Sequence, residues 1–239
     1  MARTMLSVWA HPDDEAFGPS GLVRLLHDQG VRNVIVTATR GEAGELGDPP
    51  CATRETLADV RTAELHASCG IMGVDRLELW GFPDGGLSSV DTNELRDRIL
   101  AVLNEEKPLV VLTFGPDGVY GHPDHVAIHI AATQAFAQYL ALHSHEEPPR
   151  LYYTTIGSNP VIDLDSAADN DAPPPLPATT HIDVSDYAEI KRQALQAHAS
   201  QKNDWSKFLD SDEWFTTVYL HQAYPSAVTT DLPETALFV

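Results

Sequence analysis

Apolar runs alternate along this chain with stretches of helical periodicity. Met5–Ala10 reads as a buried strand, and Ala16–Gln29 as a helix with Phe17, Leu22, Leu25 and Leu26 on one face and Gly30 at its end. Val34–Thr39 predicts a second buried strand and Arg54–Met72 a long helix. Leu77–Trp80 predicts a short strand running into the turn-rich GFPDGG. Asn93–Glu106 reads as a helix, Leu109–Phe114 as a strand, His122–Leu142 as a helix with Pro123 suited to its first position, and Leu151–Ile156 as a strand. Ser158–Ala178, rich in Asp, Ala and Pro, interrupts the alternation and reads as an exposed loop or lid. Thr180–Val184 then suits a strand and Asp186–Gln201 an amphipathic helix, with Ile190, Ala194, Leu195 and Ala197 at helical spacing.

Continuously apolar strands alternating with helices predict an α/β fold. Its sheet is Rossmann-like and mostly parallel, with helices on both faces. The 239 residues, 43% apolar, suit a single domain over 1–239. In such folds ligands bind beyond the carboxyl ends of the strands. The polar clusters HPDDE, TRGEAGE, GFPDGG and GPDGVYGHPDH all follow predicted strands, so they share that rim.

Charge narrows the partners. Thirty-five acids against 15 Lys plus Arg give a formal net charge of −20. Such a surface repels phosphate backbones and anionic lipid, so no nucleic-acid or membrane-surface partner is expected. No apolar run approaches the length of a membrane span, and the first residues lack the features of a signal peptide. Two cysteines, Cys51 and Cys69, make neither a CxxC motif nor a disulfide framework. A reduced, cytoplasmic setting is expected.

Two motifs carry candidate chemistry. In HPDDE, His11 and Asp14 are three positions apart around Pro12 and Asp13, and at a helix start such residues share a side. Adjacent carboxylates repel one another, but a helix N-terminus or a divalent cation makes them tolerable. In HPDH, His122 and His125 repeat the spacing around Pro123 and Asp124. Two histidines and one carboxylate suffice for a metal site at the rim with an open position for water. Zinc suits this donor set, and iron or cobalt meets it too. His129, deeper in its helix, reads as a hydrogen-bonded helix histidine. Spacing alone leaves open which acid does what.

AHPDDEAFGPSG, ATRGEAGE, RTAEL and YGHPDH together resemble the zinc-dependent LmbE-like de-N-acetylases of the GlcNAc-phosphatidylinositol (PIG-L) type. The likeness extends from Leu6 to Leu142 and again over Lys191–Gln201. The resemblance implies that His11, Asp14 and His125 are metal ligands and that Asp13 is the general base. It implies that His122 stabilises the oxyanion as an imidazolium and protonates the leaving amine, with Asp124 orienting it. It further implies that Tyr120 is a mobile tyrosine near the reacting carbonyl, and that Arg61 and Asp84 hold the sugar or its aglycone. From the residues alone, Arg61 could instead pair with Glu64, Asp84 could cap a turn, and His198 could reach the site from the late helix.

The activity so implied is removal of an N-acetyl group from an N-acetylglucosamine-type conjugate, a small molecule, giving acetate and free amine. Action on a thiol-cofactor conjugate or antibiotic sugar is the alternative within the family. An iron oxygenase and a non-catalytic sugar- or metal-binding member are the rivals from other classes. Intact Asp13, Asp14, His122 and His125 weigh against decay of the site. The resemblance leaves oligomeric state open, since soluble members form trimers or hexamers.

Overall fold

A computed structural model describes residues 3–144, 147–155, 173–226 and 235–238. In chain order the elements begin with β1 (Thr4–Trp9), α1 (Asp14–Phe17), α2 (Ser20–Asp28), β2 (Arg32–Thr39), α3 (Leu57–Met72) and β3 (Arg76–Phe82). They continue with α4 (Thr92–Glu106), β4 (Val110–Phe114), α5 (Gly118–Gly121), α6 (Pro123–Leu142), β5 (Arg150–Thr154) and β6 (Thr180–Asp183). Last come α7 (Ala188–Ala197), α8 (Lys202–Trp205), α9 (Asp212–Thr216) and β7 (Thr217–Tyr224). The fold is α/β with mostly parallel strand pairing. Most of Ser158–Ala178 lies outside the described residues, and its described end, 173–178, carries no helix or strand. No helix among the described residues is long and apolar enough to cross a membrane.

The chain divides into two compact units, one of Met1–Val8, Gly86–Ile182 and Tyr219–Val239, the other of Trp9–Gly85 and Asp183–Val218. In the first, β4 lies between β1 and β5 and is parallel to both, with Met5 opposite Val110 and Val110 opposite Arg150. β7 then pairs antiparallel with β5. All five residues of β4 are buried, as expected of a strand covered on both faces. α6 packs on α4 and against β4, burying Ile128, Ala131, Ala132, Ala135 and Phe136.

In the second unit β2 and β3 pair in parallel, with Val34 opposite Arg76, and α3 packs on α7. Here the sequence reading needs two corrections. The helix expected over Ala16–Gln29 is two helices broken at Gly18–Pro19, because proline removes a backbone donor and biases its predecessor away from helix. The helix expected over Asp186–Gln201 is regular only from Ala188 to Ala197 and closes in a 3₁₀ turn after His198.

A buried lysine bridges the first of these breaks. Lys191 of α7 is 2% exposed, and its Nζ donates to the Gly18 carbonyl at 3.2 Å and the Trp214 carbonyl at 2.8 Å. Burial pushes its amine down to about 7. The unfolded chain therefore binds more protons than the folded one from about pH 7 up to the ordinary lysine value, and stability contributed through Lys191 rises with pH across that window. Urea denaturation of wild type and Lys191→Met at pH 7 and pH 9.5 checks this. The stability difference should move in favour of wild type at the higher pH, and a constant difference would contradict the assignment.

Candidate active site

The second unit holds the HPDDE motif at the end of β1. Its three acids have separate partners. Asp14 opens α1, and its Oδ2 accepts the His11 backbone N–H at 2.7 Å. Asp13 sits just before the helix with φ 106°, a left-handed conformation that aspartate tolerates better than most residues. Its carboxylate accepts from Arg61 Nη2 at 2.9 Å. Glu15 is fully buried. Its Oε1 accepts from Ser68 Oγ and His198 Nε2, each at 2.7 Å, and its Oε2 accepts the Asp13 backbone N–H at 2.9 Å. The sequence alone assigns Glu15 no partner. A buried acid needs one, and here it has three.

Arg61 is buried, its side chain 4% exposed. Besides Asp13 it donates to the Pro12 carbonyl and, through Nη1, to the Gly41 carbonyl at 3.0 Å. Glu64, its alternative partner in the sequence, instead accepts from Ser200. The loop GEAGE is shaped around this guanidinium. A Cβ on Gly41, whose φ is +70°, would lie 2.4 Å from Arg61 Nη1, and one on Gly44 would lie 2.5 Å from the same atom. Those two glycines, together with Gln201, whose side chain bonds both backbone groups of Glu45, were not singled out in the sequence. A glycine pair in a loop after a strand was the available signal.

Asp84 is a partner of His11, not only a turn residue. His11 Nε2 lies 3.2 Å from Asp84 Oδ1, while His11 Nδ1 lies 3.6 Å from Asp14 Oδ2. Asp84 also accepts the Ala43 N–H at 2.8 Å, and Glu42 Oε1 accepts the Asp84 N–H at 3.0 Å, so the loops after β2 and β3 are clamped reciprocally. Burial raises the Asp84 carboxyl, but the hydrogen bond and charge of His11, the Ala43 amide and Arg61 outweigh it and hold it below the usual range. For Asp13 the balance is opposite. Burial pushes it up to about 6 despite Arg61, with Asp14 adding to the rise.

The first unit holds the HPDH motif at the start of α6. Pro123 occupies the first helical turn, as predicted. The Asp124 N–H donates to His122 Nδ1 at 3.2 Å, so the ring caps the helix. That bond needs a lone pair on Nδ1, so the ring in this arrangement is neutral with its proton on Nε2. The sequence reading took it as an imidazolium, which would have to give up this partner. Asp124 is fully buried, and its Oδ1 accepts the Leu87 N–H at 2.9 Å.

His125 Nδ1 lies 3.1 Å from the Gly118 carbonyl. A carbonyl only accepts, so Nδ1 carries a proton and Nε2 is the nitrogen left to ligate a metal. His129 Nδ1 bonds the Phe114 carbonyl at 2.9 Å, as expected of a helix histidine. Tyr120 is 38% exposed, edge-on to the rings of His122 and His125. Val119 before it has φ 70°, a strained value for a β-branched residue. The two motifs are therefore not copies, since α1 begins two residues after Pro12 whereas α6 begins at Pro123.

Residues 6–136, more than half of the chain, match the PIG-L family, described as GlcNAc-PI de-N-acetylase. The chain belongs to that family. Among de-N-acetylase relatives, the 1D-myo-inositol 2-acetamido-2-deoxy-alpha-D-glucopyranoside deacetylase of Actinosynnema mirum is 35% identical over 238 aligned residues, covering 84% of this chain and 81% of that protein. A probable N-acetyl-alpha-D-glucosaminyl L-malate deacetylase 2 of Bacillus cereus is 34% identical over 205 residues and covers 84% of each. Among solved structures, N,N'-diacetylchitobiose deacetylase from Pyrococcus horikoshii is similar with a TM-score of 0.69 and 20% identity, over 92% of this chain and 84% of that one. GalB, the 4-carboxy-2-hydroxymuconate hydratase of Pseudomonas putida, is similar with a TM-score of 0.70 and 20% identity, over 96% and 99%. The last two establish the shared fold. That one is a deacetylase and the other a hydratase means the fold does not choose the reaction.

Removing Arg61 would leave the largely enclosed Asp13 carboxylate, its side chain 14% exposed, without its counter-charge. Arg61→Ala should destabilise the protein by about 3–5 kcal/mol, and by less in an Asp13→Asn background. Denaturation of the four proteins of this cycle is the check. Equal costs in both backgrounds would contradict the pairing.

Proposed function

We propose that this chain is a divalent-metal-dependent de-N-acetylase acting on small N-acetylglucosaminyl conjugates with a polar aglycone. The single observation that carries this reading is family membership together with the preserved HPDDE and HPDH side chains in chemically suitable states. Relatives that share about a third of their residues with this chain are named for the inositol and malate conjugates of N-acetylglucosamine.

The metal ligands we propose are His11, Asp14 and His125. Their donors, imidazole nitrogen and carboxylate oxygen, suit zinc, and Fe²⁺ or Co²⁺ would meet the same set. The Nδ1–H bond of His125 and the nearly buried position of His11 fit that role. When bound, such an ion polarises the amide carbonyl and makes water acidic enough to attack near neutral pH.

The chain's own groups do the rest. Asp13, pushed towards neutral pH by burial and held by Arg61, takes the proton from the attacking water. His122 would act as the imidazolium, released from the Asp124 N–H, directing Nε2–H to the oxygen on which charge develops and supplying that proton to the leaving nitrogen. Tyr120 stands beside both histidines as a further donor to that oxygen. Arg61 acts through Asp13, and Asp84 through His11, as a carboxylate that orients a ligating imidazole. Water adds to the acetyl carbonyl and the C–N bond breaks, giving acetate and a free amine.

Amine and acetate release from free N-acetylglucosamine, its inositol and malate glycosides and diacetylchitobiose tests the reaction. Zinc-loaded protein should release both products from an inositol or malate conjugate, lose the activity to a chelator and regain it with zinc. Silence across the panel by zinc-loaded protein would overturn the substrate class. Asp13→Asn should keep its zinc and lose at least about 100-fold in kcat. Wild-type turnover by that variant would remove Asp13 from the general-base role.

A further inference from the structure

Beneath the HPDDE turn lies a polar cluster that the mechanism above does not use. Glu15, Ser68 and His198 are each completely buried, and they come from three separate elements: α1, α3 and the end of α7. Ser68 Oγ and His198 Nε2 donate to Glu15 Oε1, both at 2.7 Å. Glu15 Oε2 accepts the backbone N–H of Asp13 at 2.9 Å. Burying a carboxylate this deeply is costly unless it is fully bonded, so the cluster calls for an explanation.

The backbone of Asp13 supplies one. It is one of three non-glycine residues with positive φ among those described, at φ 106° and ψ −27°. Such a conformation costs on the order of 1–3 kcal/mol and persists only where its surroundings fix it. Two sets of bonds fix it here. The Asp13 carbonyl accepts from the Ala16 and Phe17 N–H groups at 2.8 and 2.9 Å, which ties it to the first turn of α1. The Asp13 N–H is tied to Glu15. Turning the peptide before Asp13 would break the Glu15 bond and swing the Asp13 carboxylate off Arg61.

His198 is anchored in its turn. Its carbonyl accepts from Trp205 Nε1 at 2.9 Å, and its ring stands where α7 loses regular helix geometry. Burial lowers the basicity of this imidazole, but the Glu15 charge and hydrogen bond, aided by Asp13, raise it more, so the ring remains a firm donor to Glu15. Through Glu15 the Asp13 backbone is therefore tied to a ring 183 positions from Glu15 in sequence.

We propose that Glu15, held by His198 and Ser68, is a positioning residue that locks the left-handed backbone of Asp13 and so aims the Asp13 carboxylate. This deepens the reading of Asp13 as general base and rests on it. Glu15 itself touches neither substrate nor metal in this proposal.

The test uses the zinc-loaded full chain and reads backbone hydrogen exchange at Asp13 alongside kinetics on the inositol N-acetylglucosaminide. In Glu15→Leu, protection of the Asp13 amide should fall at least about tenfold, the equivalent of one lost hydrogen bond. Its kcat should fall at least about tenfold with KM and zinc stoichiometry unchanged. Glu15→Gln keeps an oxygen to accept the Asp13 N–H, with its amide nitrogen turned to Ser68 and His198, and should recover part of both losses. Ser68→Ala, a milder change, should move both readouts the same way by less, and it decides the matter if Glu15→Leu does not fold.

Unchanged Asp13 exchange and unchanged kcat in the folded variants would overturn the proposal. So would loss of zinc in step with activity, or a Glu15→Gln as damaged as Glu15→Leu. If wild type turns over no substrate, or Asp13→Asn keeps full turnover, the general-base reading fails by itself. Exchange at Asp13 still reports whether Glu15 holds the backbone.

Discussion

Three consecutive carboxylates at the end of a strand repel one another and resist burial, and much of the second unit is arranged around accommodating them. Each has its own partner. Asp14 takes the backbone amide of His11, Asp13 takes a guanidinium from α3, and Glu15 takes a serine and an imidazole from α3 and the end of α7. The partners are not interchangeable, because each side chain leaves the turn in a different direction. That division leaves Asp14 beside His11, Asp13 with a raised pKa, and Glu15 enclosed in protein. Adjacent residues of one chemical type thereby acquire three different chemical capacities.

Arg61 shows how far the arrangement spreads. Its guanidinium can lie where it does only because Gly41 and Gly44 leave room, and Gly41 also needs a positive φ. The loop carrying those glycines is tied to Asp84 on one side and Gln201 on the other. Asp84 in turn meets His11. One buried cation thus connects the rim loops after β1 and β2, and through Asp84 the loop after β3. In the first unit the HPDH segment solves a simpler problem. A single buried acid, Asp124, takes one backbone amide and gives another, and the two histidines each have Nδ1 committed to backbone.

The apolar runs are enough to locate β1 to β6 within a few residues, because buried strands are read directly from composition, whereas the alternately buried β7 is absent from the strands they predict. The longer helices are equally plain, but the short α5, α8 and α9 and the helix ends are not. The break at Gly18–Pro19 competes with the tolerance of proline in a first helical turn, and the break at His198 coincides with a tertiary bond to Glu15 that no local pattern encodes. The chemistry showed the same division. Residue type and spacing pointed to His11, Asp14, His122 and His125, whereas the partners of Arg61, Asp84 and Glu15 depend on elements distant in sequence. From its helix position Arg61 reads as a partner of Glu64; its pairing with Asp13, 48 positions away, is set by tertiary packing that no local pattern encodes.

The most direct test of this division of labour is anomalous diffraction at the zinc absorption edge from crystals of the zinc-loaded protein. The account predicts an ion ligated by His11, Asp14 and His125, with Asp13 outside the ligand set and still paired to Arg61. An ion ligated by Asp13, or one that draws Asp13 away from Arg61, would contradict it.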